Sequence, residues 1–316
     1  MADVSISTAT AFLATHFDSP IADVQLVGAG AWSRCYGFQL GNDDLVIRFG
    51  GYREDFAKDQ LAYRYHSAAL PIPELLEIGD YEDGFYAISR RAYGQPLEAV
   101  TPEEWAKLIP ALVDGLEALR TADLANTTGF GGWDGQGQTQ SASWSAELLT
   151  VGVDWPEQRT HGWLKRLADG SPAGHATFRW GHDLLKQIAN DDVPRCLLHC
   201  DLINRNVLVA DNHLTAVFDW GCGRYGDHLY ELAWFEFWAP WHPNLDIPLL
   251  RAALETRWQA LGYTVPNQAE RLATCYLHIG LDHLAYNAYL GDWETLLATA
   301  DQMRALVTTT LPVISS

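Results

Sequence analysis

The chain has 316 residues, 48% hydrophobic and 19% charged, the balance of a folded globule with room for about two domains of ordinary size. Forty acids against 21 basic residues give a net charge of −19, which argues against a surface for nucleic acid or an anionic membrane and suits a cationic partner. No apolar run reaches the roughly 18 to 20 residues of a membrane helix, and the N-terminus lacks the basic-then-apolar pattern of a secretory signal. Cys35, Cys196, Cys200, Cys222 and Cys275 are an odd set without a second metal-type pair. They read as free thiols of a reducing, cytoplasmic compartment.

In chain order, Ile6, Ala9, Phe12, Leu13 and Phe17 recur at helical spacing until Ser19-Pro20. Strands are expected over residues 24–27, 34–40 and 45–49, with Gly41 to Asp44 turning the last two. Gly28, Gly30 and Ser33 punctuate the turn between the first two. A dinucleotide fingerprint needs a third glycine and a helix after it, and neither is present. A glycine turn in an antiparallel hairpin can instead lie over a nucleotide, its bare backbone close to the phosphates. A helix over 55–69 follows, ended by Leu70-Pro71-Ile72-Pro73, then strands over 75–79 and 85–89. Beyond Arg90-Arg91 the pattern becomes helical, over 103–121, 184–190, 247–261 and 269–289. The expected division is therefore 1–91 and 92–316. The Gly/Gln-rich stretch 129–140 reads as a surface loop.

The chemistry concentrates in residues 197–220. Asp201 and Asn206 are five apart on a loop between two apolar strands, and the strand after the next turn ends in Asp219. Phosphoryl transfer from a nucleotide needs a carboxylate for the acceptor hydroxyl, and an amide oxygen and a second carboxylate for magnesium. Asp201, Asn206 and Asp219 supply these in that order. Turn formation alone explains Asp and Asn beside strands, but not this order and spacing together with His199.

His199-Cys200-Asp201 followed by Asn206 resembles the catalytic loop of kinases, and Asp219-Trp220 resembles the variant found in aminoglycoside phosphotransferases. Further phrases, among them 67–74, 88–92, 128–131, Gly226-Asp227, Tyr230-Glu231 and 279–282, resemble the hygromycin B phosphotransferase branch of that family. The resemblance runs to about residue 295. It implies an α+β, protein-kinase-like two-lobe fold: an N-lobe antiparallel sheet with a helix, and a larger, mainly helical C-lobe. It also implies O-phosphorylation of a small hydroxylated molecule with ATP (or GTP) and Mg²⁺, as a monomer or weak dimer.

The resemblance assigns Asp201 as catalytic base and Asn206 and Asp219 as magnesium ligands. Gly28, Gly30 and Ser33 would cover the phosphates. Arg48 stands where most kinases carry lysine, and its permanent, bidentate charge can perform the same task. Asp59 is the expected partner of Arg48, ahead of Glu54 and Asp55, while Lys58 is expected to face solvent. The backbone around Arg90, Arg91 and Ala92 would meet the nucleobase.

On the acceptor side, residues from Asp201 onward include 13 acids, six arginines and no lysine. Asp227, Glu231, Glu236, Asp246 and Asp282 are candidates for a pocket that takes a cationic sugar antibiotic, with Trp234, Trp238 and Trp241 as ring faces. Two bland readings compete. Asp227 can brace the catalytic loop, and Glu231, Trp234 and Trp238 fall at helical spacing, so part of that stripe belongs to a core. Arg205 stands where the resembling enzyme has a small polar amide, and a positive charge there opposes a cationic substrate unless Glu231 or Glu236 neutralises it. Macrolides, amino alcohols and other sugars remain as alternative acceptors, and nucleotide binding without turnover as the alternative function.

Overall fold

The computed structural model describes residues 4–30 and 32–311; Ala31 of the glycine turn lies outside them. Helix α1 (Ile6–His16) starts at Ser5, whose hydroxyl accepts from the Thr8 N–H, and buries Ala9 and Leu13. Strands β1 (Ile21–Ala29), β2 (Ser33–Leu40), β3 (Asp43–Gly50), β4 (Leu75–Tyr81) and β5 (Gly84–Arg90) form one antiparallel sheet in the order β1-β2-β3-β5-β4. Phe38, Ile47 and Phe49 fill the core between that sheet and α1.

Helix α2 (Arg53–Ala62) links β3 to β4 and stops earlier than the expected 69. The reason is local: the His66 Nδ1 accepts from the Ile72 N–H at 3.0 Å and the Ser67 hydroxyl from the Leu70 N–H at 3.1 Å. Side chains thus take over the amides before the two prolines.

The second lobe opens with β6 (Gln95–Pro96) and α3 (Pro102–Arg120), the latter started by a reciprocal Thr101–Glu104 capping box. It continues through β7 (Gly131–Gly132), α4 (Trp144–Leu149), α5 (Trp163–Gly170) and α6 (Pro172–Ile188). Strands β8 (Cys196–Leu198), β9 (Val207–Ala210), β10 (His213–Val217) and β11 (Arg224–Gly226) follow. Helices α7 (Leu229–Trp238), α8 (Ile247–Ala260), α9 (Gln268–Leu290) and α10 (Trp293–Thr310) complete it. Helix α9 packs against α5, α6, α7 and α10 and is buried along most of its length. Helix α6 begins twelve residues before the expected 184. Its Gly181 breaks the apolar period in sequence, yet an added Cβ there would lie 3.2 Å from both Leu281 and Met303.

The 129–140 stretch is a largely irregular segment with Gln136, Gln138 and Gln140 exposed, as expected of a surface loop, but it is anchored at Trp133. Trp133 is 1% exposed and stacks on Tyr225, and β7 pairs with β11. Gly131 takes φ +93 there, a conformation that glycine adopts without Cβ strain. The small sheets β10-β9-β6 and β7-β11-β8 hold both ends of the loop that carries Asp201.

Candidate active site

The β8–β9 loop and the β10–β11 connection meet through His199. Its Nδ1 accepts the Asp201 N–H at 3.2 Å, and its Nε2 lies 3.0 Å from the Phe218 carbonyl, a pairing that requires the Nε2–H tautomer. Burial lowers the His199 pKa to about 4, so the ring is neutral and both bonds persist at ordinary pH. The Asp201 carboxylate accepts from Asn204 Nδ2 at 2.6 Å and from Asn206 Nδ2 at 2.9 Å. Asn206 Nδ2 also donates to the Asp201 carbonyl at 2.8 Å. Burial raises the Asp201 pKa to about 8 and Asp219 adds to it, while the two amides oppose the rise. Cys200, Asn204, Arg205 and Asp219 all take left-handed φ of 64 to 67°. Each costs roughly 1 kcal/mol or more, and such strain gathers where geometry serves a site.

With its amide nitrogen committed to Asp201, Asn206 has its oxygen left as the group for a ligand. The Asp219 side chain is 50% exposed. One amide oxygen and one carboxylate are hard donors that fit a magnesium ion completing its shell with phosphate and water.

Arg48 enters this space from β3. It pairs with Asp59 of α2, and its Nη1 lies 3.7 Å from Asp219 Oδ1. Burial opposes the Arg48 charge, but Asp59 and then Asp219 outweigh it and keep the guanidinium protonated. Asp59 Oδ1 also accepts from the Trp220 N–H at 2.7 Å. One carboxylate thus fixes the cation and the backbone beside Asp219. The competitors go elsewhere: Glu54 accepts from the Gly135 N–H at 2.6 Å, and Asp55 pairs with Arg159 at 2.6 Å. Lys58 does not face solvent. Its ammonium donates to the Gly221 carbonyl at 3.0 Å near the Trp133 ring, and burial lowers its pKa.

In the β1–β2 turn the Gly30 N–H donates to the Ser33 carbonyl at 3.0 Å, and a Cβ on Gly30 would meet nothing within 4 Å. Packing within the protein therefore gives no reason for glycine at that position. At the link between lobes, the Arg90 and Arg91 amides are spent on the carbonyls of Glu74 and Asp44. The Arg90 side chain pairs outward with Asp43 and Glu74. Ala92 carries the next amide along the chain.

Four of the acceptor-side candidates are held by partners within the protein. Asp227 is 1% exposed and bound by Arg271 through two bonds of 2.5 and 2.8 Å, so it braces α9 against the start of α7. Glu231 lies beneath the catalytic loop, its Oε1 accepting from the His199 N–H at 2.5 Å and the Cys200 N–H at 2.9 Å. Glu236 pairs with Arg251 at 2.6 Å and with the Tyr276 hydroxyl, so it does not neutralise Arg205. Asp246 caps α8 through the Leu249 N–H.

Arg205 is exposed and makes no ion pair among the described residues. Asp282, on α9, is also exposed. Trp238 is half-buried against Trp234, Trp241 and His283. The sequence reading named Glu231 both as a pocket acid and as part of a core stripe, and its burial agrees with the second; it missed Arg159, which lies 104 residues from its partner Asp55 with no local pattern to mark it.

Residues 23–265 match the model of the phosphotransferase enzyme family, APH. The chain is 31% identical over 294 residues to hygromycin-B 4-O-kinase of Escherichia coli, covering 92% of this chain and 82% of that one. A crystal structure of a thermostable mutant of aminoglycoside phosphotransferase APH(4)-Ia, in ternary complex with AMP-PNP and hygromycin B, superposes with a TM-score of 0.81. The match has 30% identity and covers 95% of this chain and 98% of the other. Spectinomycin phosphotransferase APH(9)-Ia shares the fold, at a TM-score of 0.58 and 12% identity over 96% and 97% of the two chains. A two-lobed kinase-like frame with Asp201, Asn206 and Asp219 on neighbouring loops defines a phosphotransferase. The chain belongs to the APH phosphotransferase enzyme family.

Proposed function

We propose that this enzyme transfers the γ-phosphoryl group of ATP, or GTP, to a hydroxyl of a hygromycin B-like aminoglycoside, and so confers resistance to it. The carrying observation is the combination of the Asp201–Asn206–Asp219 geometry with likeness to a hygromycin-B kinase over 92% of the chain. Residues 1–91 form the nucleotide-binding lobe in this reading, and residues 92–316 the acceptor lobe. All five cysteines are free thiols, which supports a reducing compartment.

Asp201 orients the acceptor hydroxyl and receives its proton as the new P–O bond forms and the bond to the departing ADP breaks. Asn206 and Asp219 are the residues that would hold magnesium, which would supply neutralisation of phosphate charge. Arg48, fixed by Asp59, and the Gly28–Ser33 turn place the triphosphate. The chain's contribution is positioning and electrostatics, as this reaction requires. Asp282 and the half-buried Trp238 face a cationic sugar.

The test is ADP release by purified protein with ATP and magnesium across an aminoglycoside panel that includes hygromycin B. Hygromycin-stimulated release that falls by about 10²-fold or more in Asp201→Asn supports the reading. Magnesium-dependent background hydrolysis with no stimulation by any aminoglycoside would discard the antibiotic and keep the phosphotransferase.

Arg205 favours a second reading. It is exposed in the loop that carries Asp201, with no ion pair among the described residues, which suits an acceptor bearing a neutral or anionic group at that point. Arg205→Asn separates the two. Improved turnover of hygromycin B supports a retuned site for another hydroxylated metabolite, and unchanged turnover and affinity remove Arg205 from specificity altogether.

A further inference from the structure

Arg159 lies on the connection between α4 and α5, in the helical lobe, yet its partners all belong to the other lobe. Its Nη2 donates to Asp55 Oδ1 at 2.6 Å. Its guanidinium carbon sits 3.5 Å from the centroid of the Tyr52 ring and 5.7 Å from that of Trp32, and those two rings meet edge to face at 6.1 Å. Trp32 belongs to the β1–β2 glycine turn, and Tyr52 and Asp55 to the start of α2. The segment that carries Arg159 is itself held in shape. The Asp154 carboxylate accepts from the Gly162 N–H at 2.9 Å and the Leu164 N–H at 3.2 Å, and pairs with His161 at 3.3 Å.

This cluster stands on the Asp219 side of the cleft. A Cβ placed on Gly221 would lie 3.7 Å from Asp55 Oδ1 and 3.6 Å from Asp219 Oδ1. The acid that receives Arg159 and the proposed metal ligand are therefore separated by one residue's breadth. We propose that Arg159 is a positioning residue for the nucleotide. From the acceptor lobe it clamps the glycine turn and α2 together, so that the backbone and Arg48 are already in place when the triphosphate enters.

The physical case is pre-organisation. A turn tip that must be ordered on binding subtracts that ordering cost from affinity. A planar cation stacked on an aromatic ring and paired with a carboxylate removes much of it beforehand. Charge alone is insufficient, because lysine can reproduce the ion pair but not the stacked planar contact. The inference rests on nucleotide use by this family and is independent of which acceptor the enzyme takes.

The experiment titrates ADP and magnesium into the full-length enzyme by calorimetry, without acceptor, for Arg159→Ala, Arg159→Lys, Trp32→Ala, Asp55→Asn and Arg159→Ala/Asp55→Asn. Arg159→Ala is expected to weaken ADP about tenfold, Arg159→Lys to fall between it and the native enzyme, and the double variant to add little to Arg159→Ala. In turnover the nucleotide KM rises while the acceptor KM stays within about twofold. Thermal unfolding of each variant separates a folding defect from lost pre-organisation, and Trp32→Ala probes the same cluster if Arg159→Ala does not fold. ADP affinity within twofold of native for both Arg159→Ala and Trp32→Ala overturns the proposal. Fully additive effects in the double variant do so as well.

Discussion

At the scale of single residues, Glu231 shows how position overrides composition. As an acid among tryptophans it suggests a sugar pocket, but its side chain accepts two backbone amides that fix the start of the catalytic loop. Burial raises its pKa to about 7, against the lowering effect of those amides. A carboxyl whose pKa is raised by folding stabilises the protonated form. That stabilisation is complete below the ordinary value of 4.5 and is lost as pH climbs through 7. Glu231→Gln keeps the accepting oxygen and removes the titration, so its unfolding temperature should decline less than that of the native enzyme between those limits. Melting curves across pH check this. Glu231→Ala leaves two buried N–H groups without a partner, at about 1–3 kcal/mol each, and its turnover should fall with its stability.

At the scale of elements, α2 is docked on the Asp219 region by Asp59 on Trp220 and by Lys58 on Gly221. The helix is therefore coupled to the Asp219 side by its own charged residues as well as by the packing of Leu61 and Ala62 in the core that includes Trp220. Helices α7 and α9 are joined differently, through the buried Asp227–Arg271 pair. Removing one member of such a pair strands the other charge, so Asp227→Ala should cost about 3–5 kcal/mol of stability. Its acceptor KM should stay near native in whatever fraction folds. Asp282→Ala is the opposite case. It should leave stability within about 0.5 kcal/mol and raise the KM of a cationic acceptor severalfold. Denaturant titration beside steady-state kinetics distinguishes the two residues, and equal effects on acceptor KM would show that burial does not separate their roles.

At the scale of the whole molecule, a net charge of −19 places the exposed Asp219 and Asp282 within a generally acidic field. Such a field raises the local concentration of a cationic acceptor and is screened over about 10 Å at 0.1 M salt. The acceptor KM should therefore rise several-fold between low salt and about 0.5 M, with ion pairing to phosphate screened at the same time. A neutral acceptor analogue supplies the control, since its KM should respond much less. The lobes are also tied together directly, through Glu54 with Gly135, Lys58 with Gly221 and Asp55 with Arg159.

The sequence by itself determined the two-lobed class, the N-lobe strands, the catalytic loop and the Arg48–Asp59 pairing. The strands and the spacing of Asp201, Asn206 and Asp219 are local pattern, while the two-lobed class and the Arg48–Asp59 pairing were legible through the resemblance to kinases that those motifs carry. It did not determine which acids stay in solvent. Asp227, Glu231, Glu236 and Asp282 are alike as residues, and only the partners brought by distant segments, Arg271, the His199 and Cys200 amides, and Arg251, decide that the first three turn inward. The same holds for the Gly/Gln-rich stretch, ordered by Trp133 against Tyr225, and for Arg159, whose meaning arises only when α2 arrives beside it. Tertiary structure made those choices because burial, charge pairing and ring contacts across a hundred residues have no periodicity to read.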